Sequence, residues 1–498
     1  MLVDSSHTLS FADTMTDQFY WGVATSAYQA EGGYNGPGEP RTNWADAEEH
    51  GDVAVCGRAA DFWTRYAEDF ARCRALGCNA FRLGIEWSRC QDFDPAILDH
   101  YAAIMKSCRE HGMEPVVTLH HFVHPANLGS DPWLKAETAE TFAAYAVEVV
   151  ACINERLDRP LHWFITINEP NMLVLNTYLG RQFPAKVGSS LQAVVTAYNH
   201  LLRGHILAYR GIHALYAERH WPRPQVSFNN YCSDVYWSDK LLLDLVSLRE
   251  RGVDRHDVGQ AIHREAKAFE EAFRTSNIPF HKDFAYWCGA GLKKVTQWLG
   301  RRNFDEEHLA PLLDTLYSGP DARTFDFVGL DYYDPFAAHI FRKPVIWDHE
   351  FKNKSFRAWM LASVTSKWWD WRVLPAGLGF FCRYYSEAFK RPVLIAENGL
   401  AIRRRPDNAG LAPRRDKITR SEFLRLHVRE VRELRAQGVP LIGYLHWSLF
   451  DNYEWGSYTP RFGLYSLDYT QGTERAAVDP WGDNPSETYR QLISGEQT

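Results

Sequence analysis

The chain has 498 residues, of which 45% are hydrophobic and 14% aromatic, so it can bury a large core. Its formal net charge is -7, with acidic and basic residues well mixed along the sequence. This balance argues against a nucleic-acid or anionic-membrane partner, because both need a basic face.

Nine cysteines occur without CxxC pairs. This pattern favours reduced thiols in a reducing compartment over a disulfide framework or a structural zinc site. The first twenty residues lack a signal-peptide pattern, and no segment approaches the roughly 20 apolar residues of a membrane span. We therefore expect a cytoplasmic protein with no membrane partner.

Eight short apolar runs, rich in β-branched and aromatic residues, predict buried strands along the chain. They are residues 19–25, 79–85, 115–119, 161–167, 225–229, 325–330, 392–396 and 441–447. Amphipathic helices separate most of them, for example after a predicted cap at Asp61 and after Pro95. Residues 232–321 contain mixed charged helices and no clear strand, which predicts an elaborated connection.

Strands that alternate with helices pair in parallel, and eight such units close a single-domain (β/α)8 TIM barrel of the α/β class. We expect this barrel to span residues 19–490, with tails at 1–18 and 491–498. The competing architecture, a doubly wound open sheet, needs a glycine fingerprint at its switch point, and the sequence contains none.

Two of the predicted strands run directly into a glutamate. Glu169 follows the run at 161–167, and Glu397 follows the run at 392–396. A carboxylate at the end of a buried strand is costly unless it has partners or a chemical task. Each glutamate alone could merely cap a strand end, but two of them predict the carboxylate pair that cleaves an acetal.

Other polar residues also follow the predicted strands, where the active site of a barrel lies. They are Gln29, Arg82, His120, Asn168, Asn229, Tyr333, Trp447 and Glu454. A metal cluster at His120, His121 and His124 is an alternative, but metal-binding barrels need ligands from several other strands, which here carry amides of the kind that bind sugars. We expect no cofactor and no metal.

Several motifs, taken in order, closely resemble glycoside hydrolase family 1, the retaining β-glucosidase-type enzymes. The resemblance covers about residues 19–489 and is weakest between 232 and 321. The motifs are ATSAYQAEG at 24–32, FRLGIEWSR at 81–89, NEP at 168–170, ENG at 397–399, WSLFDNYEW at 447–455 and RFGL at 461–464.

The resemblance implies a role for each matched residue. Glu169 would be the general acid and then base, and Glu397 the nucleophile. Arg82 and Tyr333 would support Glu397, and Asn168 would hold the sugar 2-hydroxyl. The rest of the implied sugar and leaving-group site is Gln29, His120, Trp371, Trp447, Glu454, Trp455 and Phe462.

Three positions and one short segment depart from the family pattern. Asp331 replaces a usual asparagine, His121 a usual tryptophan and Gly84 a usual serine, and the stretch 455–458 is one residue shorter. An extra carboxylate beside the pair predicts an acid limb of the pH–rate profile shifted upward, unless Asp331 is paired elsewhere.

The resulting hypothesis is retaining hydrolysis of a β-D-glucoside, a related β-glycoside or a short oligosaccharide. A transglycosidase with the same glutamate pair and a non-catalytic sugar-binding relative are the alternatives. Glu454 argues against 6-phosphoglycosides because a carboxylate repels phosphate, and Glu169 argues against the thioglucosidase branch, which lacks the acid. The sequence is compatible with several preferred sugars and with either a monomer or a homo-oligomer.

Overall fold

The computed structural model describes residues 18–180, 182–280, 282–337, 371–404, 414 and 416–495. The predicted N-terminal tail therefore lies almost wholly outside the described residues. Residues 405–413 and residue 415, which follow Glu397 in the chain, also lie outside them.

Eight parallel strands form a closed barrel, which confirms the predicted (β/α)8 fold. The barrel strands are β1 (Tyr20–Ala24), β2 (Ala80–Gly84), β3 (Glu114–Thr118), β4 (Trp163–Asn168), β5 (Gln225–Tyr231), β6 (Val328–Tyr332), β7 (Val393–Asn398) and β9 (Leu441–Trp447). The barrel closes where β1 pairs with both β2 and β9. Two short strands, β8 (Ile402–Arg403) and β10 (Pro460–Arg461), pair antiparallel beside it.

Helices cover the outside of the barrel. They are α1 (Ala27–Glu31), α2 (Ala45–Glu49), α3 (Phe62–Leu76), α4 (Trp87–Cys90), α5 (Pro95–Glu110), α6 (Glu137–Asn154), α7 (Pro170–Tyr178), α8 (Leu191–Glu218), α9 (Lys240–Ser247), α10 (Val258–Arg274), α11 (Phe284–Asn303), α12 (Ala310–Tyr317), α13 (Pro375–Phe389), α14 (Arg420–Ala436) and α15 (Pro485–Ser494). Among the described residues, no helix combines the length and apolarity needed to cross a membrane.

Local sequence explains why the helices begin and end where they do. Pro95 occupies the first turn of α5, where its missing N–H costs nothing, and the Asp94 carboxylate accepts from the Ala96 N–H. Gly77 ends α3 with a φ of 88°, a conformation that glycine adopts without strain. The prediction that the Asp61 side chain caps α3 is wrong. Asp61 precedes α3 in a left-handed conformation, and its side chain accepts no capping hydrogen bond.

Two predicted boundaries need correction. The sixth strand begins at Val328 rather than at residue 325. Asp326 lies just before the strand and is tied to β5 through both its backbone and its side chain. Its carboxylate accepts from the Val226 N–H at 3.0 Å and lies 2.8 Å from the His213 ring. At the other end of the chain, α15 continues to Ser494, so residues 491–494 belong to a helix and not to a tail.

The connection at 232–321 contains α9 to α12, as its mixed helical pattern predicts. It follows β5 directly and contributes residues such as Val235 and Leu292 to the wall of the main cavity. The connection is therefore part of the barrel's upper face, where the polar strand ends converge.

Candidate active site

Glu169 and Glu397 meet at the carboxyl end of the barrel. Glu397 lies within β7, and Glu169 follows β4 in a left-handed conformation, with a φ of 36°, as the residue before α7. Both side chains are buried. Carboxylate oxygens of these two residues and of Asp331 lie within 4.8 Å of one another. This spacing fits the roughly 5–5.5 Å of a retaining pair and leaves no room for the water that separates an inverting pair.

Two donors orient the Glu397 carboxylate. Arg82 donates from Nη1 to Oε1 at 2.7 Å, and the Tyr333 hydroxyl donates to Oε2 at 2.8 Å. Burial raises the pKa of Glu397 above its usual range, and the Arg82 charge and both hydrogen bonds offset only part of this rise. The charged form of Glu397 is therefore the one that its neighbours favour, as a nucleophile requires.

Arg82 is itself held in place inside the barrel. It is fully buried, and it donates to the Thr118 hydroxyl at 3.0 Å and to the Asn168 side-chain oxygen at 2.5 Å. A guanidinium with several fixed partners keeps its orientation, so it supplies a defined positive charge beside Glu397.

Glu169 has the opposite environment. Burial raises the pKa of Glu169 well above its usual range, and the nearby Glu397 charge raises it further. The Arg82 charge opposes these effects without overcoming them. The surroundings of the two glutamates therefore differ: those of Glu169 favour its protonated form, whereas the donors around Glu397 favour its ionised form.

Asp331 adds a third carboxylate at the end of β6. The Asn229 amide donates to one of its oxygens, and Arg82 lies 4.0 Å from the other. Burial and the charges of Glu397 and Glu169 raise the pKa of Asp331 well above its usual range. Three buried carboxylates thus share one guanidinium, so they cannot all be ionised at neutral pH without a large electrostatic cost.

Gln29, Trp447 and Glu454 converge in a second polar cluster. The Gln29 amide donates to Glu454 at 3.0 Å, and the Trp447 indole N–H donates to the other carboxylate oxygen at 3.1 Å. Burial is the main cause that raises the pKa of Glu454 to about 8. This cluster holds a carboxyl group in a fixed position at the cavity, where it can bind a sugar hydroxyl.

The expected role of His120 is wrong. Its ring lies away from the cavity, among the rings of Trp133 at 5.4 Å and Phe142 at 5.8 Å, and burial lowers its pKa to about 3. The alternation of a strand would place His120 on the same side as Thr118, but β3 ends at Thr118 and the alternation ends with it.

His121 takes the position on the cavity instead. Its ring lies nearly parallel to Trp447 at 5.8 Å and to Trp455 at 5.7 Å, and its Nε2 is 3.1 Å from the Asn168 amide. His121 is therefore not a replacement for a tryptophan but the polar ring of this pocket. The neighbouring His124 ring bonds to the Gly129 carbonyl at 3.1 Å, so the three histidines do not form a metal cluster.

The remaining expected residues line the same cavity, which has a volume of about 480 Å³. Trp371, Trp455 and Phe462 all contact it, and the Trp371 ring lies 5.2 Å from that of Tyr333. Gln29 is not among the residues that line the cavity, but its amide donates a hydrogen bond to Glu454, which does line it. Among the described residues, the side chains of metal-ligating type that come together are the three carboxylates, and Arg82 already supplies a positive charge there.

Sequence reasoning placed Asn229 at the strand ends but gave it no role. Its amide donates to Asn168 at 2.8 Å as well as to Asp331, a bridge that no spacing predicts. The residues that sequence reasoning missed form the outer wall of the cavity, which comes from α7, from the residues directly after it and from the connection at 232–321. Its apolar members are Met172, Leu175, Leu179, Phe183, Val235 and Leu292.

Gly84, which replaces a usual serine, has a local structural reason. A Cβ at this position would lie 2.9 Å from the Ala27 backbone nitrogen and 3.0 Å from its Cβ. The glycine therefore permits α1 to lie directly against the end of β2, which places Gln29 at the site.

Comparison with known proteins agrees with this geometry. The chain is 27% identical over 476 residues to 6-phospho-beta-galactosidase 1 of Streptococcus pneumoniae, covering 91% of this chain and 93% of that one. It is 26% identical over 494 residues to beta-glucosidase 6 of Oryza sativa subsp. japonica, covering 92% and 87%.

A solved structure shows the same fold. The beta-glucosidase from Thermotoga maritima in complex with glucoimidazole superposes with a TM-score of 0.68 at 21% identity, covering 97% of this chain and 99% of that one. The family model described as glycosyl hydrolase family 1 matches residues 11–246 and 261–479. The chain therefore belongs to glycosyl hydrolase family 1.

Proposed function

We propose that this glycosidase hydrolyses unphosphorylated β-D-glycosides with retention, with Glu397 as the nucleophile and Glu169 as the acid and base. The observation that carries the proposal is the distance between the two carboxylates, with oxygens within 4.8 Å. Such a pair allows direct attack on the sugar and cannot hold a water between the second carboxylate and the anomeric carbon.

The first step forms a bond between a Glu397 oxygen and the anomeric carbon while the bond to the leaving oxygen breaks. Glu169, protonated because burial and Glu397 raise its pKa, gives its proton to that oxygen. In the second step Glu169, now a base, takes a proton from water as the water displaces Glu397. Arg82 and Tyr333 keep Glu397 ionised and oriented for both steps.

Asn168 is the proposed partner of the sugar 2-hydroxyl. Its oxygen accepts from Arg82 and from Asn229, so the amide is held rigidly, and its nitrogen lies 3.1 Å from His121. Hydrogen bonds to the 2-hydroxyl strengthen in the transition state, so a rigid partner at this position contributes to the rate. His121, Trp447 and the Glu454 carboxyl group would bind the remaining hydroxyls.

The relatives are named for two kinds of substrate, with and without a 6-phosphate. Glu454 lies in the cavity, and none of the described residues that line the cavity is a lysine or an arginine. A phosphate dianion bound here would lack a cationic partner among these residues and would face a carboxyl group, which supports unphosphorylated sugars. The presence of both glutamates at catalytic distance disfavours a non-catalytic sugar-binding protein.

A panel of p-nitrophenyl α- and β-glycosides, including β-galactoside 6-phosphate, tests the proposal. We expect release from an unphosphorylated β-glycoside, loss of release in Glu397→Ala, and azide rescue of Glu169→Ala with a β-glycosyl azide as product. A higher kcat/KM for the 6-phosphate would overturn the choice of substrate. Release of the α-anomer of the sugar as first product would overturn retention from a β-glycoside.

A cytoplasmic location remains part of the proposal. All nine cysteines are free in the structure, and seven of them are buried. Unpaired buried thiols persist where glutathione and thioredoxin keep them reduced. Protein isolated from its natural source, denatured and titrated with a thiol reagent, should therefore show nine free thiols. Fewer than nine would point to an oxidising compartment.

A further inference from the structure

The chain has a second cavity, lined mainly by the end of α10 and by α11, which we call the accessory pocket. Its volume of about 480 Å³ equals that of the catalytic cavity and lies within the range of cavities that bind small organic molecules. Outside the two helices, its lining residues are Asp234, Phe280 and Phe336. None of the described residues lines both cavities, so the two are separate.

The two cavities differ in charge. None of the described residues that line the catalytic cavity is a lysine or an arginine, and its acids are Glu169, Asp334, Glu397 and Glu454. In the accessory pocket, cations outnumber acids. The cations are Arg274, Lys293, Lys294 and Arg301, and the acids are Asp234 and Glu270. An organic anion is therefore attracted to the accessory pocket and repelled from the catalytic cavity.

Both acids of the accessory pocket already have partners within the protein. The Asp234 carboxylate forms an ion pair with the Lys293 ammonium at 2.8 Å and accepts from the Ala337 N–H, also at 2.8 Å. The Glu270 carboxylate accepts from the Gln297 amide. One acid is thus neutralised by an ion pair, and the other is engaged by a fixed donor.

Two cations of the accessory pocket differ from the other two in having no such partner. Arg274 forms an ion pair with Glu271 on its own helix at 2.6 Å. For Lys294 and Arg301, no carboxylate of the described residues lies within ion-pair distance. These two side chains stand about two helical turns apart on α11, with Trp298 between them at 53% exposure. They can therefore both donate to one anionic group at the rim of the pocket.

The interior of the accessory pocket is aromatic. Phe273, Phe280 and Phe336 form a triangle of rings whose centroids lie between 5.6 and 5.8 Å apart. The Tyr286 ring extends the triangle, 6.1 Å from that of Phe280. The Lys293 ammonium lies 4.8 Å from the centre of the Phe273 ring. Aromatic rings pack favourably against one another edge to face or offset, so this surface suits a planar ring.

We propose that the accessory pocket is a second ligand site, which binds a small aromatic carboxylate. The ring of the ligand packs against the three phenylalanines, and its carboxylate accepts from Lys294 and Arg301. The catalytic cavity excludes the same ligand because carboxyl groups line it. Helix α11 contributes Leu292 and Thr296 to the catalytic cavity, so one helix forms a wall of both sites.

Calorimetric titration with 2-naphthoate tests the proposal. We expect one molecule to bind per chain. Its Kd should be at least about tenfold lower than that of 2-naphthamide, which has the same shape without the charge, because charge-assisted hydrogen bonds are the stronger ones. Both Lys294 and Arg301 are exposed, so added salt should weaken the binding of 2-naphthoate and leave that of 2-naphthamide unchanged.

Two substitutions localise the ligand. Ala290→Trp places a large ring in the pocket from an exposed position of α11 and should abolish binding. Lys294→Ala should raise the Kd of 2-naphthoate about three- to tenfold and leave that of 2-naphthamide unchanged. The matched controls are Ala268→Trp and Lys267→Ala, at exposed positions of α10 that do not line the pocket, and both should bind like the parent. A melting curve checks the fold of each variant.

Several results would overturn the inference. One is a lack of binding of 2-naphthoate, and another is equal binding of 2-naphthoate and 2-naphthamide. A Kd that stays at the parent value in Ala290→Trp and in Lys294→Ala would place the ligand elsewhere. Loss of binding in Leu175→Asn, which changes the catalytic cavity, would place it there. None of these results bears on the proposed function, which the glycoside panel tests separately.

Discussion

Asp331 should shift the pH dependence of the enzyme, and Asp331→Asn is the substitution that tests this. Asparagine keeps the size of the side chain and an oxygen that can accept from Asn229, but it removes a carboxylate next to Glu397 and Glu169. Since like charges disfavour ionisation, Glu397 should lose its proton at lower pH in the variant. We expect the acid limb of kcat/KM to move downward.

The geometry sets the size of the shift. The carboxylate oxygens lie within 4.8 Å, and at that upper limit, with an effective dielectric constant of about 20, a full negative charge acts with about 3.5 kcal/mol. That energy corresponds to about 2.5 pH units, since one unit is 1.36 kcal/mol. The pKa of Asp331 is itself raised, so only part of its charge is present where Glu397 titrates. We therefore expect a shift of about one unit.

The assay is the pH dependence of kcat/KM for the best p-nitrophenyl β-glycoside, measured from pH 4 to 9 for parent and variant. Asp99→Asn is a suitable control because it removes one negative charge from a side chain that is 69% exposed, where solvent screens it. An acid limb that stays in place in Asp331→Asn, or that moves upward, would refute the electrostatic coupling between Asp331 and Glu397.

Three further substitutions probe other contacts. Tyr333→Phe removes a hydrogen bond to ionised Glu397, which is worth about 1.5–3 kcal/mol; kcat/KM should fall about 10- to 100-fold and its acid limb should move upward, and an unmoved limb would contradict the contact. Gly84→Ala places a Cβ 2.9 Å from the Ala27 nitrogen, so the free energy of unfolding measured in urea should fall by about 1–3 kcal/mol. An unchanged midpoint of urea unfolding would show that α1 can shift away from the new methyl group at no cost. Glu454 has a pKa of about 8, so it ionises as pH rises through that value; KM of the parent should change between pH 7 and 9 while that of Glu454→Gln stays flat, and parallel KM profiles would argue that Glu454 does not titrate there.

The polar residues at the strand ends could be predicted from the sequence because each β/α unit forms from residues that are close together in the chain. Each buried strand is a continuous apolar run, and a parallel barrel brings all its carboxyl ends to one face. Glu169 and Glu397 could therefore be placed together although 228 positions separate them in the sequence. Arg82, Asn168 and Tyr333 follow the same logic, and the structure places all three in contact with the pair or with each other.

Side-chain directions after the strands were not predictable. His120 and His121 are identical in type and adjacent, and only the path of the backbone beyond Thr118 decides which ring reaches the cavity. The beginning of β6 and the conformation of Asp61 are similar cases. In each, partners distant in sequence, or a left-handed backbone conformation, override a local pattern.

The sequence by itself determined the fold, the family and the meeting of two strand-end glutamates, because each depends on apolar periodicity and on short motifs directly attached to strands. Only the tertiary structure decided that a third carboxylate shares Arg82, that His121 rather than His120 lines the cavity, and that α7 and the connection at 232–321 form its outer wall. These features arise between segments far apart in the chain. Distances between such segments depend on how helices and loops pack, which no local pattern encodes.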